Sequence, residues 1–418
     1  MNHFKGAIFS FTSVISLFSF SLLSTPLQAQ TGESLQWEYT RGKVYLRNES
    51  MGLNMKLDNK VYFDLTSAWS MDKLHSPSSS NSSPSFPVYA VNIPMFYLAM
   101  RGNITDKWVA SVEVDVAGRD VKVRDTYLGY NFPHDIQLRF GNMRVPGGMG
   151  QNISYSTLSF HDRPLTAALQ SPRRMGVGAF SFHDDWSAAL GAYTLSADGA
   201  FIGRLSHPEI LLAGRGTYKV MKNSSGELML GLNMQYLLNS LSGSDLTLDP
   251  TRLAWKSALD DLPLKLSAVH RNFNVGTELA WTLNRWLLTG EWVGTFYGNA
   301  LAPKSEDVTS VMAWYLGASY MFRGPSRSYS RSTAAYTERA DDSGKGWELA
   351  GRVGGMALNP QGTTNLGINT FTLYTNVWFN HHIAFGAGTS YTMMDGDLLT
   401  YTSPGGIFSL YGRALLNF

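Results

Sequence analysis

The chain has 418 residues, no cysteine, 16% charged residues and a formal charge of +2. These values exclude a disulfide framework and a thiolate metal site, and the near-even charge balance gives no sign of a nucleic-acid partner. Aromatics reach 13% and glycine numbers 40, yet mean hydropathy is slightly negative, and after the first 29 residues no uncharged apolar run reaches the ~18 residues a spanning helix requires.

The N-terminus reads as an export signal. Lys5 supplies a positive start, Gly6 to Leu23 carries no charge, and Leu27-Gln28-Ala29 offers a small residue at a cleavage point. Residues 1–29 are therefore expected to be a cleaved secretory signal, with the working chain over 30–418. An uncleaved anchor is the competing reading, and it would call for a longer clean apolar run.

Short alternating segments follow. Val112, Val114 and Val116 interleave with Ser111, Glu113 and Asp115; Ile136, Leu138 and Phe140 with Gln137, Arg139 and Gly141; Val275 to Trp281 with Gly276, Glu278 and Ala280. The same rhythm runs through Trp286–Phe296, Trp347–Gly355 and Phe371–Phe379, and ends in Phe408, Leu410, Gly412, Ala414, Leu416 and Phe418 against Ser409, Tyr411, Arg413, Leu415 and Asn417. Side chains alternate across a strand, so one face can meet lipid and the other water. A single such segment fits a soluble sandwich equally well; many together, ending on an aromatic residue, predict an all-β transmembrane antiparallel β-barrel. In hydrocarbon every backbone polar group must be paired, and a sheet achieves that only by closing. Glu113, Arg139, Glu278 and Arg352 then belong on the inner face, because an Arg facing lipid at the midplane costs roughly 2–4 kcal/mol.

Short polar breaks at Asn103–Lys107, Asn284-Arg285 and Asn380–His382 suit tight turns. Longer connections occur at His75–Pro87, Pro146–Arg174, Asn239–Pro250 and Gly324–Gly346. In outer-membrane barrels the long loops face outside, and all four are expected there. No linker marks a second domain.

Several blocks resemble the phosphate-selective porins of the O and P type. They are Gly102–Trp108 with Ser111–Asp115, Val121–Tyr130, Gly141–Pro146, Asp162-Arg-Pro-Leu with Ser171–Gly178, and Gly346–Arg352 with the last two strands. The likeness covers residues 97–195 and 286–418. It implies an outer-membrane barrel of about 16 strands, a homotrimer, a third loop folded inward, and passive diffusion of small anionic solutes such as phosphate, with no enzymatic activity and no cofactor. Sixteen strands of ~10 residues use about 160 residues, which the length accommodates. The terminal Phe418 marks such a chain for the barrel-assembly machinery and the outer-membrane lipid. An adhesin or structural barrel with partner-binding loops is the alternative.

Pores select ions through charged side chains at their constriction. The candidates in the matching blocks are Lys122, Arg124, Arg139, Arg144, Arg163, Arg173 and Arg174. Lys122 and Arg124 share a strand face, a local positive track with forked donors. Glu113, Asp115 and Asp125 lie close enough in sequence to weaken it, and two readings stay open: an anion ladder, or arginines paired with lumen carboxylates that hold the loop. His161-Asp162 and His183-Asp184-Asp185 read as rim or loop polar groups, not as a metal or acid–base site. His381-His382 reads as a solvated turn. Trp286, Trp292, Trp314, Trp347 and Trp378 read as interface girdle residues, with a sugar-binding track as the second option.

Overall fold

A computed structural model describes residues 35–40, 43–70, 87–194, 210–238, 244–248, 264–269, 271–298, 309–339, 344–359, 366–395 and 405–418. The expected signal segment 1–29, most of His75–Pro87 and parts of Asn239–Pro250 lie outside the described residues.

In chain order the strands are β1 (Gln36–Thr40), β2 (Lys43–Asn48), β3 (Leu53–Leu57), β4 (Lys60–Ser70), β5 (Val88–Asn103), β6 (Trp108–Asp115), β7 (Lys122–Val123), β8 (Thr126–Phe132), β9 (Ile136–Arg144), β10 (Arg173–Phe182), β11 (Trp186–Tyr193) and β12 (Ile210–Asn223). They continue as β13 (Gly226–Leu238), β14 (Ser244–Leu248), β15 (Leu264–Val269), β16 (Arg271–Leu283), β17 (Trp286–Gly298), β18 (Thr309–Arg323), β19 (Arg327–Ser330), β20 (Ala335–Arg339), β21 (Gly346–Asn359), β22 (Leu366–Trp378), β23 (Ile383–Asp395) and β24 (Gly405–Asn417).

Sixteen of these form one closed antiparallel barrel: β4 to β6, β8 to β13, β16 to β18 and β21 to β24. The seam closes where β24 pairs with β4, from Ile407 against Ser70 to Asn417 against Lys60. Beyond the last ladder pair, Phe418 N–H donates to Asn59 O and Asn59 N–H to Phe418 O, each at 3.0 Å. No edge is left open there, as a sheet in lipid requires.

The alternation read from the sequence sorts the faces. Leu65, Phe140, Leu190, Leu316, Leu373, Phe385 and Leu410 are exposed on the outside. On the opposite face of the wall Asp64, Glu113, Glu278, Glu348, Arg352, Ser409 and Tyr411 are buried inside. Within the described residues no helix is long and apolar enough to cross a membrane.

The tight turns gather at one end. Among them, residue 284 takes a left-handed φ of 52° between β16 and β17, a conformation Asn tolerates well. One connection departs from the expectation. Gly324–Gly346 joins β18 to β21 at the tight-turn end, not among the outward loops. Strand parity dictates this: β17 rises from Asn284-Arg285, so β18 must descend to the same end. There β19 and β20 form a hairpin that enters the barrel, with Ala335 and Tyr336 packed in one cluster with Met149, Met229, Ala280, Leu287 and Tyr315.

A small sheet extends the wall at the same end. β3 pairs with the lower part of β5, Asn54 against Asn103 and Leu57 against Met100, directly below the β4–β5 ladder. β2 pairs with β3 and β1 with β2. Tyr39 Oη lies 2.7 Å from His382 Nε2 and so ties this collar to the β22–β23 turn.

Candidate functional site

Two chain segments occupy the lumen. The first, residues 145–172, leaves β9 and returns to β10. It contains a single helical turn, α1 (Met149–Asn152), and short 3-10 turns at Tyr155–Thr157 and Leu165–Leu169. Its backbone finds partners on wall strands across the barrel. Gly150 N–H donates to Glu291 Oε2 at 3.1 Å, Ser171 N–H to Gln235 Oε1 at 3.0 Å, and Asn274 Nδ2 to Leu169 O at 3.0 Å. Further round, Asn376 Nδ2 donates to Ser159 O, Arg413 to His161 O and Arg352 to Asp162 O, between 2.7 and 3.0 Å. A buried segment with few regular elements must send its backbone groups to side chains, and these wall residues receive them. A Cβ built at residue 148 would sit 1.4 Å from Glu291 Oε1, so only glycine lets the loop lie this close to the wall.

The second segment is the β19–β20 hairpin. Arg327 Nε and Nη2 donate to Glu348 at 3.2 and 2.7 Å, while Nη1 donates to Thr157 O at 2.9 Å. Arg215 clamps Glu278 at 2.9 and 2.7 Å and donates to the carbonyls of residues 333 and 334. The two inward segments thus touch each other and share the wall.

They leave a cavity of about 530 Å³ against β3 to β12 and the tight-turn ends of β22 to β24. Nine lysine and arginine side chains line it against three carboxylates. Most of the cations converge on those carboxylates. Lys60, Arg101 and Lys56 lie 3.0, 3.3 and 3.8 Å from one oxygen of Asp58. Arg101 also reaches Glu113 at 2.7 Å. Arg173 binds both oxygens of Asp125 at 2.9 and 3.2 Å, and Arg144 stands 3.5 Å from the same group. Lys43 and Arg139 line the cavity with no ion-pair partner among the described residues.

The sequence candidates separate on this surface. Arg139, Arg144, Arg163 and Arg173 line the cavity. Arg163 spends its donors on carbonyls of its own loop, 2.7 Å to Gln151 O and 2.6 Å to Ile153 O, with its guanidinium over the Tyr155 ring. Arg124 turns to Asp115 at 3.0 Å and lies over Tyr97, outside the cavity lining. Lys122 is exposed on β7, a strand that ends after Val123, so the two do not form a continuous track. Arg174 donates to Thr194 O at 3.2 Å, away from the cavity.

Three expectations are corrected here. His161 is no rim residue: it is buried between Tyr374 and Tyr411, 3.1 Å from Asp64. Burial first, then the neighbouring Arg413 charge, holds its imidazole below the ordinary histidine value. Trp378 turns inward, 5% exposed, with the Arg327 guanidinium 5.5 Å from its ring, so it is not a girdle residue. His382 is bonded on both sides, Nδ1 to Asn417 O and Nε2 to Tyr39 Oη, each at 2.7 Å, where a solvated turn was expected. His183 does sit in a tight turn, stacked on Trp186, and Asp184 pairs with Arg331 at 2.6 Å. Among the described residues no three His, Asp or Glu side chains gather to hold a metal ion.

Lys43, Lys56, Lys60 and Arg101 were not among the candidates. The first three precede the matching blocks, yet Lys56-Leu-Asp-Asn-Lys60 carries charge at every second residue, the spacing that puts three side chains on one strand face.

A closed sixteen-strand antiparallel barrel, greasy outside and charged inside, defines an outer-membrane porin channel. The model of the phosphate-selective porin O and P family matches residues 88–387, and the chain belongs to that family. No curated protein matches it in sequence. Solved structures share its fold at low identity. They include OmpT of Vibrio cholerae in its trimer form (10% identity, 87% of this chain, 99% of that one, TM-score 0.53). An anion-selective porin from Comamonas acidovorans matches at 11% identity over 87% and 99%, TM-score 0.53. The outer-membrane channel DcaP of Acinetobacter baumannii matches at 12% over 87% and 97%, TM-score 0.52.

Proposed function

We propose that this porin passes small hydrophilic anions, phosphate among them, by diffusion down their gradient. The observation that carries this reading is the lining of the lumen cavity, where cations outnumber carboxylates three to one. A narrow wet passage between low-dielectric walls focuses such a field, so the excess raises the local anion concentration and lowers that of cations. Arg139, Arg144 and Arg173 are the sequence candidates assigned to this field, and Lys43, Lys56, Lys60 and Arg101 join them. Arg163 acts on the loop that sets the aperture, and Arg124, Lys122 and Arg174 contribute charge nearer the rim.

The working form is a homotrimer, in keeping with the trimer form of the similar OmpT barrel. Export by cleavage after residue 29, and recognition of the terminal Phe418 by the assembly machinery, complete the reading. Reconstitution into planar bilayers under a KCl gradient tests it: a zero-current potential of the sign set by chloride supports the proposal, and one set by potassium refutes it.

A further inference from the structure

We propose that Arg139 and the rings around it form a binding site for small planar organic carboxylates, favoured there over tetrahedral inorganic anions. The proposal rests on the anion-channel reading and names the solute class its lumen holds best.

Six arginines line the cavity. Arg101, Arg144, Arg173 and Arg215 are committed to carboxylates, and Arg163 to loop carbonyls. Arg139 alone keeps both Nη groups without a protein acceptor among the described residues; only its Nε is engaged, with Gln137 Oε1. Its guanidinium carbon lies 4.3 Å from the Phe180 ring centroid, 4.8 Å from Tyr127 and 5.7 Å from Phe182. The sheet register makes room for this. The direct cross-strand partners of Arg139 are Gly129 on β8 and Gly178 on β10. A Cβ at residue 178 would stand 2.8 Å from the Phe180 ring, so glycine there lets the ring lie back beside the guanidinium.

The chemistry follows from that arrangement. A guanidinium edge with two free donors matches one carboxylate in a forked pair. Phosphate, tetrahedral and strongly hydrated, calls for several converging donors to replace its water, and the neighbouring arginines have spent theirs. Rings on both flanking strands supply apolar and π contact to a planar body attached to the carboxylate. Acetate offers the fork without the body; inorganic phosphate offers neither the planar carboxylate nor the body.

The test uses the full-length protein in planar bilayers, with the chloride current titrated by benzoate, acetate and inorganic phosphate. Benzoate is expected to half-block at about fivefold lower concentration than acetate, the factor an aromatic contact of ordinary strength gives, and phosphate to block no better than acetate. Arg139→Lys loses the fork and the stacking, so benzoate should fall to the level of acetate. Tyr127→Leu, a milder change to a half-buried ring, should narrow the gap and serves if the first variant does not assemble. Equal block by benzoate and acetate in an anion-preferring channel overturns the site alone, as does a benzoate advantage that survives Arg139→Lys. A wild-type channel with no anion preference in KCl overturns the reading beneath it.

Discussion

Arg327 and Glu348 form a two-point ion pair, 3.2 and 2.7 Å, with both side chains almost fully buried. The third donor of Arg327 reaches Thr157 O on the other inward segment. One guanidinium therefore joins the wall, the hairpin from the tight-turn end and the loop from the opposite end.

Removing one partner of such a pair leaves a buried charge uncompensated and costs about 3–5 kcal/mol. Arg327→Ala is expected to lower the temperature at which the barrel unfolds on gels and to raise single-channel conductance and current noise, because the two inward segments lose their shared anchor. Unchanged conductance would show that the hairpin does not set the aperture.

Asp125 neutralises Arg173 and stands beside Arg144. Asp125→Asn frees both for solute while keeping the side chain's shape. The anion-to-cation permeability ratio, read from the zero-current potential, should rise roughly threefold at low salt, the effect of one charge at an effective dielectric between protein and water. The gain should shrink as salt is added, since screening shortens its reach.

Gly148 is a spacing residue with an ordinary backbone conformation, so its role is space alone. Gly148→Ala places a methyl group where Glu291 Oε1 sits. Overpacking of this kind costs about 1–3 kcal/mol. The expected result is a displaced loop, seen as altered conductance and faster protease cleavage within residues 145–172.

His161 sets a pH response. Burial depresses its folded-state value, so the unfolded chain takes up the proton first as pH falls. Its contribution is complete above the ordinary histidine range near about 6.5 and is lost below it, by at most about 1.4 kcal/mol per pH unit. Heat-modifiability between pH 7 and pH 5 should show this slope in the wild type and a flatter one in His161→Gln.

The barrel wall was legible because each strand writes its two faces at a period of two, as Leu410, Leu416 and Phe418 against Ser409 and Tyr411 show. What lies inside the wall was not. Gly324–Gly346 is polar like an outward loop, and only the parity of strands before it, which depends on counting every hairpin, reveals that it enters from the other end. The arginines and the carboxylates Glu113, Asp115 and Asp125 were visible in the sequence, but not which of them pair. Arg173 meets Asp125 across 48 positions, and Arg413 meets Asp64 across the barrel seam. The first pair forms only once β8, β9 and β10 are in register and the second only once the seam closes, neither of which a local pattern encodes. Trp378 belongs to an exposed-looking aromatic set, yet the hairpin beside it covers its ring.

The proposed anion preference of the lumen is read in the zero-current potential of the wild type across a KCl gradient, compared with that of Arg139→Glu. A chloride-directed potential is expected, moving toward zero in the variant. A potassium-directed potential in the wild type, or a membrane that stays non-conducting after insertion of folded protein, would contradict that preference.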